Sequence, residues 1–215
     1  MGRRALRRID PDLDLAAHLK TWDDLPQPWN AQAVFGRQAP LEVEVGSGKG
    51  LFLRTAAALR PDTDFLGSEI APKYARFAAA GLARRGLANA VVLLGDALRL
   101  FGERLPDRSL AAVHVYFPDP WWKKRHKKRR VMRESFVRDV ERVLEPGGRL
   151  HFWSDVEEYF DTSLDLLRAR TRLEGPLPVP ETPAEHDLDY RTHFERRMRL
   201  EGETVYRAEF RRPAD

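Results

Sequence analysis

The sequence predicts an α/β fold in which helices cover both faces of a mostly parallel, twisted sheet. Two observations support this prediction. Short β-prone runs alternate with helical segments, and four of the five strands in that alternation carry an acidic residue at or just beyond their ends. Strands that alternate with helices form parallel sheets, which bind ligands beyond the carboxyl ends of their strands. Those ends are therefore where a functional site is expected.

The individual elements follow from hydrophobic spacing and from the residues that end each segment. Pro61 ends the first helix, Pro72 is a favourable first-turn residue for the second, and Gly86 ends it. The predicted strands cover residues 41–45, 63–70, 91–94, 111–117 and 149–153, with a last strand at 204–210. The predicted helices cover residues 51–59, 72–85, 133–144 and 157–168. Four prolines between residues 175 and 183 predict an exposed connection.

Length and composition suit a single domain. The chain has 215 residues, of which 42% are hydrophobic, enough to form a core. Residues 1–40 lack regular spacing and are predicted to be an N-terminal extension, and residues 41–215 are predicted to be the functional domain.

The residues that are missing exclude several classes of function. The chain has no cysteine, which excludes disulfides, thiolate metal sites and cysteine nucleophiles, and this fits a cytoplasmic protein. No histidine and carboxylate cluster has zinc-like spacing, so no metal site is predicted. No run approaches the roughly 20 apolar residues that span a bilayer, so no membrane association is expected.

A glycine-rich loop, Gly46-Ser47-Gly48-Lys49-Gly50, directly follows the first predicted strand and opens a helix. Its spacing matches neither the dinucleotide fingerprint G-x-G-x-x-G nor a phosphate-binding Walker loop. Glu44, two residues before the loop, would disfavour a pyrophosphate but would favour a ligand with ammonium and sulfonium groups. S-adenosylmethionine carries both groups and is the predicted cofactor, with Glu44, Gly46 and Gly48 among its binding residues.

Two further carboxylates stand where the rest of this cofactor is expected. Glu69 lies 19 residues after Gly50 at the end of the second strand, where a carboxylate can accept hydrogen bonds from both ribose hydroxyls. Asp96 follows the third strand and could accept from the adenine amino group. The alternative for Asp96 is a solvated charge or a helix cap.

A dense basic run covers residues 123–130, in which seven of eight residues are Lys or Arg and the eighth is His126. The simplest alternative is a solvated surface, but like charges at this density repel, and a phosphate backbone is their natural counterion. The run begins four residues after Asp119, so a nucleic acid held there would lie over the cofactor. Trp121 and Trp122, just before the run, could clamp a base or pack in the core.

Together these motifs resemble one family, the bacterial tRNA (guanine-N7-)-methyltransferases. The Asp119-Pro120-Trp121-Trp122 segment is also similar to the Asp/Asn-Pro-Pro-aromatic loop of methyltransferases that modify ring nitrogens. The resemblance covers about residues 41–210 and is carried by residues 42–50, 65–70, 118–126, 153–155 and 192–195. It implies a Rossmann-like S-adenosylmethionine-dependent methyltransferase fold, and methyl transfer to N7 of a guanosine in the variable loop of tRNA.

The resemblance also implies roles for individual residues. The implied cofactor-binding residues include Glu44, Glu69, Asp96 and Asp119. The implied substrate-binding residues are Lys123, Asp155, Thr192, His193, Phe194 and Glu195. The implied RNA-binding residues are Arg125, His126, Lys127, Lys128, Arg129 and Arg130. Asp96 stands where many relatives have Asn, and His193 replaces a usual Lys.

The implied chemistry needs little from the protein beyond alignment. Guanine N7 has a free lone pair and no proton, so its methylation requires no general base, and Asp119 is the candidate catalytic residue as a positioner. Asp155 or Glu195 could accept from the guanine N1–H and amino group, and ordinary surface charge is the alternative for both. A monomer and a homodimer both remain open, and no obligate protein partner is implied.

Three other functions remain as alternatives. The first is methylation of another RNA or of a metabolite. The second is catalytically silent RNA binding, and the third is nicotinamide-dependent oxidation.

Overall fold

A computed structural model describes residues 6–121, 123–179 and 190–214, and in these ranges a single sheet contains eight strands. In space the strands follow the order β1-β4-β3-β2-β5-β6-β8-β7. Their bounds are β1 Leu19–Lys20, β2 Leu41–Val45, β3 Asp64–Glu69, β4 Ala90–Leu94, β5 Leu110–Tyr116, β6 Leu144–Ser154, β7 Glu174–Leu177 and β8 Tyr206–Arg211. Strands β1 to β6 pair in parallel, whereas β8 runs antiparallel to both β6 and β7. The predicted α/β class with a mostly parallel sheet is confirmed.

Helices cover both faces of this sheet. They are α1 Ala31–Phe35, α2 Leu51–Leu59, α3 Pro72–Ala83, α4 Ala97–Glu103, α5 Glu134–Val143, α6 Glu157–Arg170 and α7 His193–Leu200. One core joins α2 and α3 to the sheet through residues such as Phe52 and Ala78, and the other joins α4, α5 and α6 through Leu100, Phe136 and Leu167. The small residues of α3 allow it to pack closely, because its buried face is mainly alanine and glycine.

The strand order places a crevice at the centre of the sheet. The chain leaves β2 towards β3 on one side, while β5 lies on the other side of β2. Connections that diverge from neighbouring strands leave a cleft outside the carboxyl ends, where open α/β sheets bind ligands.

The structure departs from the sequence expectations at several elements, and one of them is helix α7, which covers a stretch where no element was predicted. Helix α4 is not among the expected elements, although Asp96 before it is a typical N-cap residue. Strand β6 begins at Leu144 because the pairing continues across a bulge at the Pro146-Gly147-Gly148 turn, between Leu144 and Arg149. Residues 174–177, expected in part to be a connection, form edge strand β7, while residues 180–183 lie outside the described ranges.

The N-terminal extension is more regular than its sequence suggests. It contributes β1 to the edge of the sheet and contains helix α1, and Leu25 is buried in the core. The domain boundary at residue 40 remains a prediction. In the described part of the chain, no helix combines the length and apolar character needed to cross a membrane.

Candidate active site

The predicted site residues gather at the carboxyl ends of five neighbouring strands. One acidic residue lies at or after each end: Glu44 in β2, Glu69 in β3, Asp96 after β4, Asp119 after β5 and Asp155 after β6. Because these strands are parallel neighbours, all five residues lie along one edge of the sheet. The topology therefore collects residues that the sequence separates by up to 111 positions.

The glycine loop is open on its outer side and closed against the protein on its inner side. Gly46 and Gly48 have φ angles of +78° and +52°, and a Cβ at either position would meet nothing within 4 Å. A Cβ on Gly50 would lie 2.7 Å from the Cβ of Ala78 in α3. The first two glycines thus give a backbone turn that a ligand can approach, and Gly50 permits the packing of α2 on α3.

Glu44 is a buried carboxyl group that lacks a full set of partners. The residue is 3% exposed, and its Oε2 has no hydrogen-bond partner among the described residues. Burial, reinforced by the charge of Glu69, raises the pKa of Glu44 to about 8, and Ser47 and Arg54 oppose this shift. A cationic ligand group would supply the missing partner and return this carboxyl to its ionised form.

Glu69 fixes the glycine loop to the end of β3. Its Oε2 accepts a hydrogen bond from the Gly48 N–H at 2.8 Å, and its Oε1 accepts from the Ala71 N–H at 2.8 Å. Each carboxylate oxygen can accept a second bond, so the side chain can still receive a pair of hydroxyls. We call the edge of the sheet at the carboxyl ends of β2 to β6 the rim. Ile70, beside Glu69 on this rim, is an apolar side chain that is 72% exposed, and sequence reasoning did not single it out as a binding residue.

Asp96 serves as a helix cap in this structure. Its Oδ1 accepts from the Leu98 N–H at 2.9 Å at the start of α4, and the residue is exposed. The helix-cap alternative is therefore realised. Capping occupies only one oxygen, so a contact between Oδ2 and an adenine amino group remains a prediction.

The loop after β5 has an unusual backbone on both sides of Asp119. Phe117 and Trp121 have φ angles of +51° and +44°, in a region that bulky residues rarely adopt and that costs about 1–3 kcal/mol each. Arg130 braces this loop by donating from Nε to the Pro120 carbonyl at 2.7 Å. The exposed Asp119 side chain thus stands in a rigid turn at the centre of the rim.

The basic run forms a short 3-10 helix, Lys124–Arg129. The ring of Trp121 lies between His126, at a centroid distance of 5.7 Å, and the Arg129 guanidinium at 5.1 Å. Among the predicted contact residues, Lys123, Arg125, Lys128 and Arg129 are exposed. Nothing is described for Trp122 or for the side chain of Lys127, so the predictions for these two lie outside the described residues.

Two of the four residues predicted to bind substrate at 192–195 form hydrogen bonds that cap the start of α7. Thr192 Oγ1 accepts from the Glu195 N–H at 3.0 Å, and Glu195 Oε2 accepts from the Arg191 N–H at 2.6 Å. Glu195 is 2% exposed, and its Oε1 lies 3.4 Å from Arg199 and 3.5 Å from Arg207. The structure therefore gives Glu195 a role in holding α7, and Asp155 is the more accessible of the two predicted guanine readers.

The other two residues tie α7 to the rest of the rim. The Phe194 ring lies 4.9 Å from that of Phe117, and His193 Nε2 lies 3.5 Å from Arg54 Nη2. Arg54 also donates from Nη1 to the Lys49 carbonyl of the glycine loop at 2.6 Å. Helix α7 thus contacts Phe117 of the Asp119 loop directly and reaches the glycine loop through Arg54, and sequence reasoning missed both partners.

A second buried carboxylate, Glu42, lies two residues before Glu44 on β2. Its Oε2 is 2.8 Å from both Arg60 Nη2 and His114 Nε2, and His114 Nδ1 is 2.9 Å from the Tyr116 hydroxyl. Burial alone would raise the pKa of Glu42, but the hydrogen bonds from His114 and Arg60 outweigh it and lower the pKa to about 2. Glu42 is therefore ionised and structural.

Comparisons with known proteins show which family this sequence matches. The profile of a family described as putative methyltransferase matches residues 38–208. The chain is 53% identical to a tRNA (guanine-N7-)-methyltransferase of Rhodopirellula baltica, over 99% of this chain and 80% of that protein. It is 40% identical to the protein of the same name from Cupriavidus necator, over 88% of this chain and 72% of that one.

Solved structures share the fold. An antibiotic-related methyltransferase superposes with a TM-score of 0.61 at 16% identity, covering 84% of this chain and 92% of that one. An S-adenosylmethionine-dependent methyltransferase from Aquifex aeolicus gives a TM-score of 0.54 at 15% identity, covering 83% and 85%. At these identities the likeness shows the fold alone.

Proposed function

This chain belongs to the tRNA (guanine-N7-)-methyltransferase family, and we propose that its sheet edge aligns S-adenosylmethionine with a guanosine of the tRNA variable loop. The enzyme methylates guanine N7 in tRNA and uses S-adenosylmethionine as the methyl donor. What we propose here is which residues perform this reaction and which nucleotide receives the methyl group.

The unpartnered Oε2 of the buried Glu44 is the observation that carries the proposed cofactor site. Glu44 would receive the ammonium group, the open backbone at Gly46 and Gly48 would admit the ligand, and Glu69 would accept from the ribose hydroxyls. Ile70 would offer an apolar surface to the adenine, whose amino group would donate to Asp96. When bound, S-adenosylmethionine supplies a methyl group activated by its sulfonium.

The protein's own task is to hold the guanine and exclude water. N7 carries no proton, so no residue needs to act as a general base, and alignment is the main contribution. Asp119 lies between Phe117 and Trp121, the two residues with left-handed φ angles, and would position the guanine and cofactor from the rim. Asp155 would accept from the guanine N1–H and amino group, because the Glu195 oxygens already serve α7.

The basic run would hold the tRNA backbone beside this pocket. Among its described side chains, the exposed cations are Lys123, Arg125, Lys128 and Arg129, which could bind phosphates, while Arg130 is engaged with the Pro120 carbonyl. Phosphate contacts of this kind fix the position of an RNA without reading its sequence. A tRNA substrate fits a cytoplasmic enzyme. One chain supplies every residue named in this proposal, so the proposed site needs no second copy of the protein.

The test is methyl transfer from labelled S-adenosylmethionine to an unmodified tRNA transcript, with nucleoside analysis of the product. We expect 7-methylguanosine at one variable-loop position, and no transfer to a transcript with 7-deazaguanosine there. Asp119→Ala should lose most activity at unchanged stability, and Asp165→Ala, an exposed acidic residue of α6, should lose none. A ribose or N2 methylation, or transfer at a nucleotide outside the variable loop, would contradict the proposal.

A further inference from the structure

We propose that Arg54, Arg84 and Arg85 form a second phosphate-binding site for the tRNA backbone, on the α2–α3 face and separate from the basic run. The inference rests on the proposed function, because it assumes that RNA is held over the sheet edge. It adds a contact surface on helices that carry no motif residue.

Gly81 of α3 brings Arg54 and Arg85 together. A Cβ at this position would lie 2.9 Å from Arg54 Cδ and 3.0 Å from Arg54 Nη1, so the Arg54 side chain lies directly across the Gly81 backbone. Arg85 Nη1 donates to the Gly81 carbonyl at 3.3 Å. A guanidinium group from α2 and one from the turn after α3 therefore flank one glycine, and Arg84 directly precedes Arg85 in the chain.

The protein offsets these three positive charges only in part, through the buried Glu44, whose charge acts on Arg54. No carboxylate of the described residues forms an ion pair with Arg54, Arg84 or Arg85. Several other surface arginines do have such partners, for example Arg138 with Glu134, Arg168 with Asp165, and Arg211 with Glu174.

The accumulated charge affects Arg54 itself. Burial, together with the charges of Arg85 and Arg84, lowers the pKa of Arg54 to about 10. Holding like charges together costs free energy, which a bound anion would recover. Arginine suits a phosphodiester because its planar fork of N–H donors matches two phosphate oxygens.

The position of the cluster favours RNA as the source of that phosphate. Arg54 contacts the cofactor loop at the Lys49 carbonyl and lies 3.5 Å from His193 of α7. Helices α2 and α3 pack on one face of the sheet, whereas the basic run leads into α5 on the other face. Arg54 is thus the member of the cluster at the glycine loop, and an RNA strand that crosses the pocket from the run would meet Arg54 before it reaches Arg84 and Arg85, just past the end of α3.

The experiment compares tRNA binding by the Arg84→Ala/Arg85→Ala double variant with binding by the full-length wild type across a range of salt concentrations. The matched control is Arg168→Ala/Arg170→Ala, which removes two arginines from the end of α6 on the opposite face. We expect log K for the cluster variant to fall less steeply with log salt, by about 0.7–0.9 for each phosphate that the variant no longer binds. Its KM for tRNA should rise several-fold, with kcat at saturating tRNA and cofactor affinity both retained.

A footprint on the tRNA backbone completes the test. The cluster variant should leave unprotected a set of phosphates different from the set that Lys128→Ala/Arg129→Ala leaves unprotected. An unchanged salt slope, a change equal to that of the control, or a weakened cofactor affinity would overturn the inference. If the wild type binds tRNA but transfers no methyl group to it, the proposed function fails instead, and the binding data still judge the cluster separately.

Discussion

Two carboxylates on one strand, Glu42 and Glu44, show the difference between the interior of this sheet and its rim. They are two residues apart on β2, so their side chains lie on the same face, and both are more than nine-tenths buried. Yet the pKa of Glu42 is lowered to about 2, whereas that of Glu44 is raised to about 8.

The neighbours of each residue explain this contrast. Glu42 receives hydrogen bonds from Arg60 and from His114, and their contribution outweighs the cost of burial. Glu44 stands one position from the strand end, where Oε2 has no partner among the described residues. Glu42 is therefore held by partners within the fold, whereas Glu44 is the one that we propose for a ligand that brings the missing partner.

The largest expected effect is on stability, at Glu42. Replacing Glu42 by Gln leaves Arg60 and His114 without their anion, and breaking such a buried pair should cost about 3 kcal/mol of unfolding free energy. Urea unfolding at pH 7 measures this loss. The control is Glu44→Gln, which should cost little; an equal loss in both variants would break the comparison.

Next in size is the pH dependence of cofactor binding. Glu44 must be ionised to pair with an ammonium group, so below its pKa of about 8 binding has to displace a proton. Affinity for S-adenosylmethionine should rise about tenfold per pH unit from pH 6 to pH 8 and then level off. Calorimetry on wild type and Glu44→Gln checks this: the variant should bind weakly with no such slope, while Glu42→Gln should keep the slope.

A smaller effect is expected where α7 meets the Asp119 loop. Phe194→Ala removes the ring contact with Phe117, worth about 1 kcal/mol, from a rim helix and not from the core. Methyl transfer should fall about fivefold, while the unfolding midpoint should fall by only about 2–4 °C. Phe136→Ala, at a position that is 1% exposed, provides the contrast: it should destabilise the protein by several times as much.

The smallest effect is expected at His193. A lysine there would face Arg54 across a surface-exposed contact, and such like-charge pairs cost only a few tenths of a kcal/mol. His193→Lys should therefore change the KM for tRNA by no more than about twofold and leave cofactor affinity unchanged. A loss of more than tenfold would show that the imidazole itself has a specific function.

The sequence predicted those parts of the site that depend on local signals. The glycine loop, Glu44 and Glu69 are recognisable because a strand end, a turn and a carboxylate follow one another in the chain. The contact between Arg54 and His193 joins residues 139 positions apart, so no local pattern announces it. The burial of Glu195 depends on Arg207 in another strand, and only the folded chain brings these two residues together.

The sequence also did not predict the backbone conformation of the loop after β5. Phe117 and Trp121 adopt left-handed φ angles although neither is glycine, so their residue types gave no sign of the turn that presents Asp119. The helix cap at Asp96 was recognisable as an alternative, since aspartate is a common N-cap residue. What the sequence could not decide was whether capping leaves room for a ligand.

The two-residue strand β1 has a consequence for how this enzyme behaves in concentrated solution. It covers the outer edge of β4, where the Val92 N–H donates to the His18 carbonyl at 2.8 Å and His18 Nδ1 lies 3.0 Å from the Ala90 carbonyl. Without this cover, the apolar run Ala90–Leu94 would present free backbone groups to any neighbouring molecule. We therefore expect the N-terminal segment to protect this strand edge from pairing with other molecules. A chain that lacks residues 1–20 should aggregate and scatter light at concentrations where the chain with these residues stays clear.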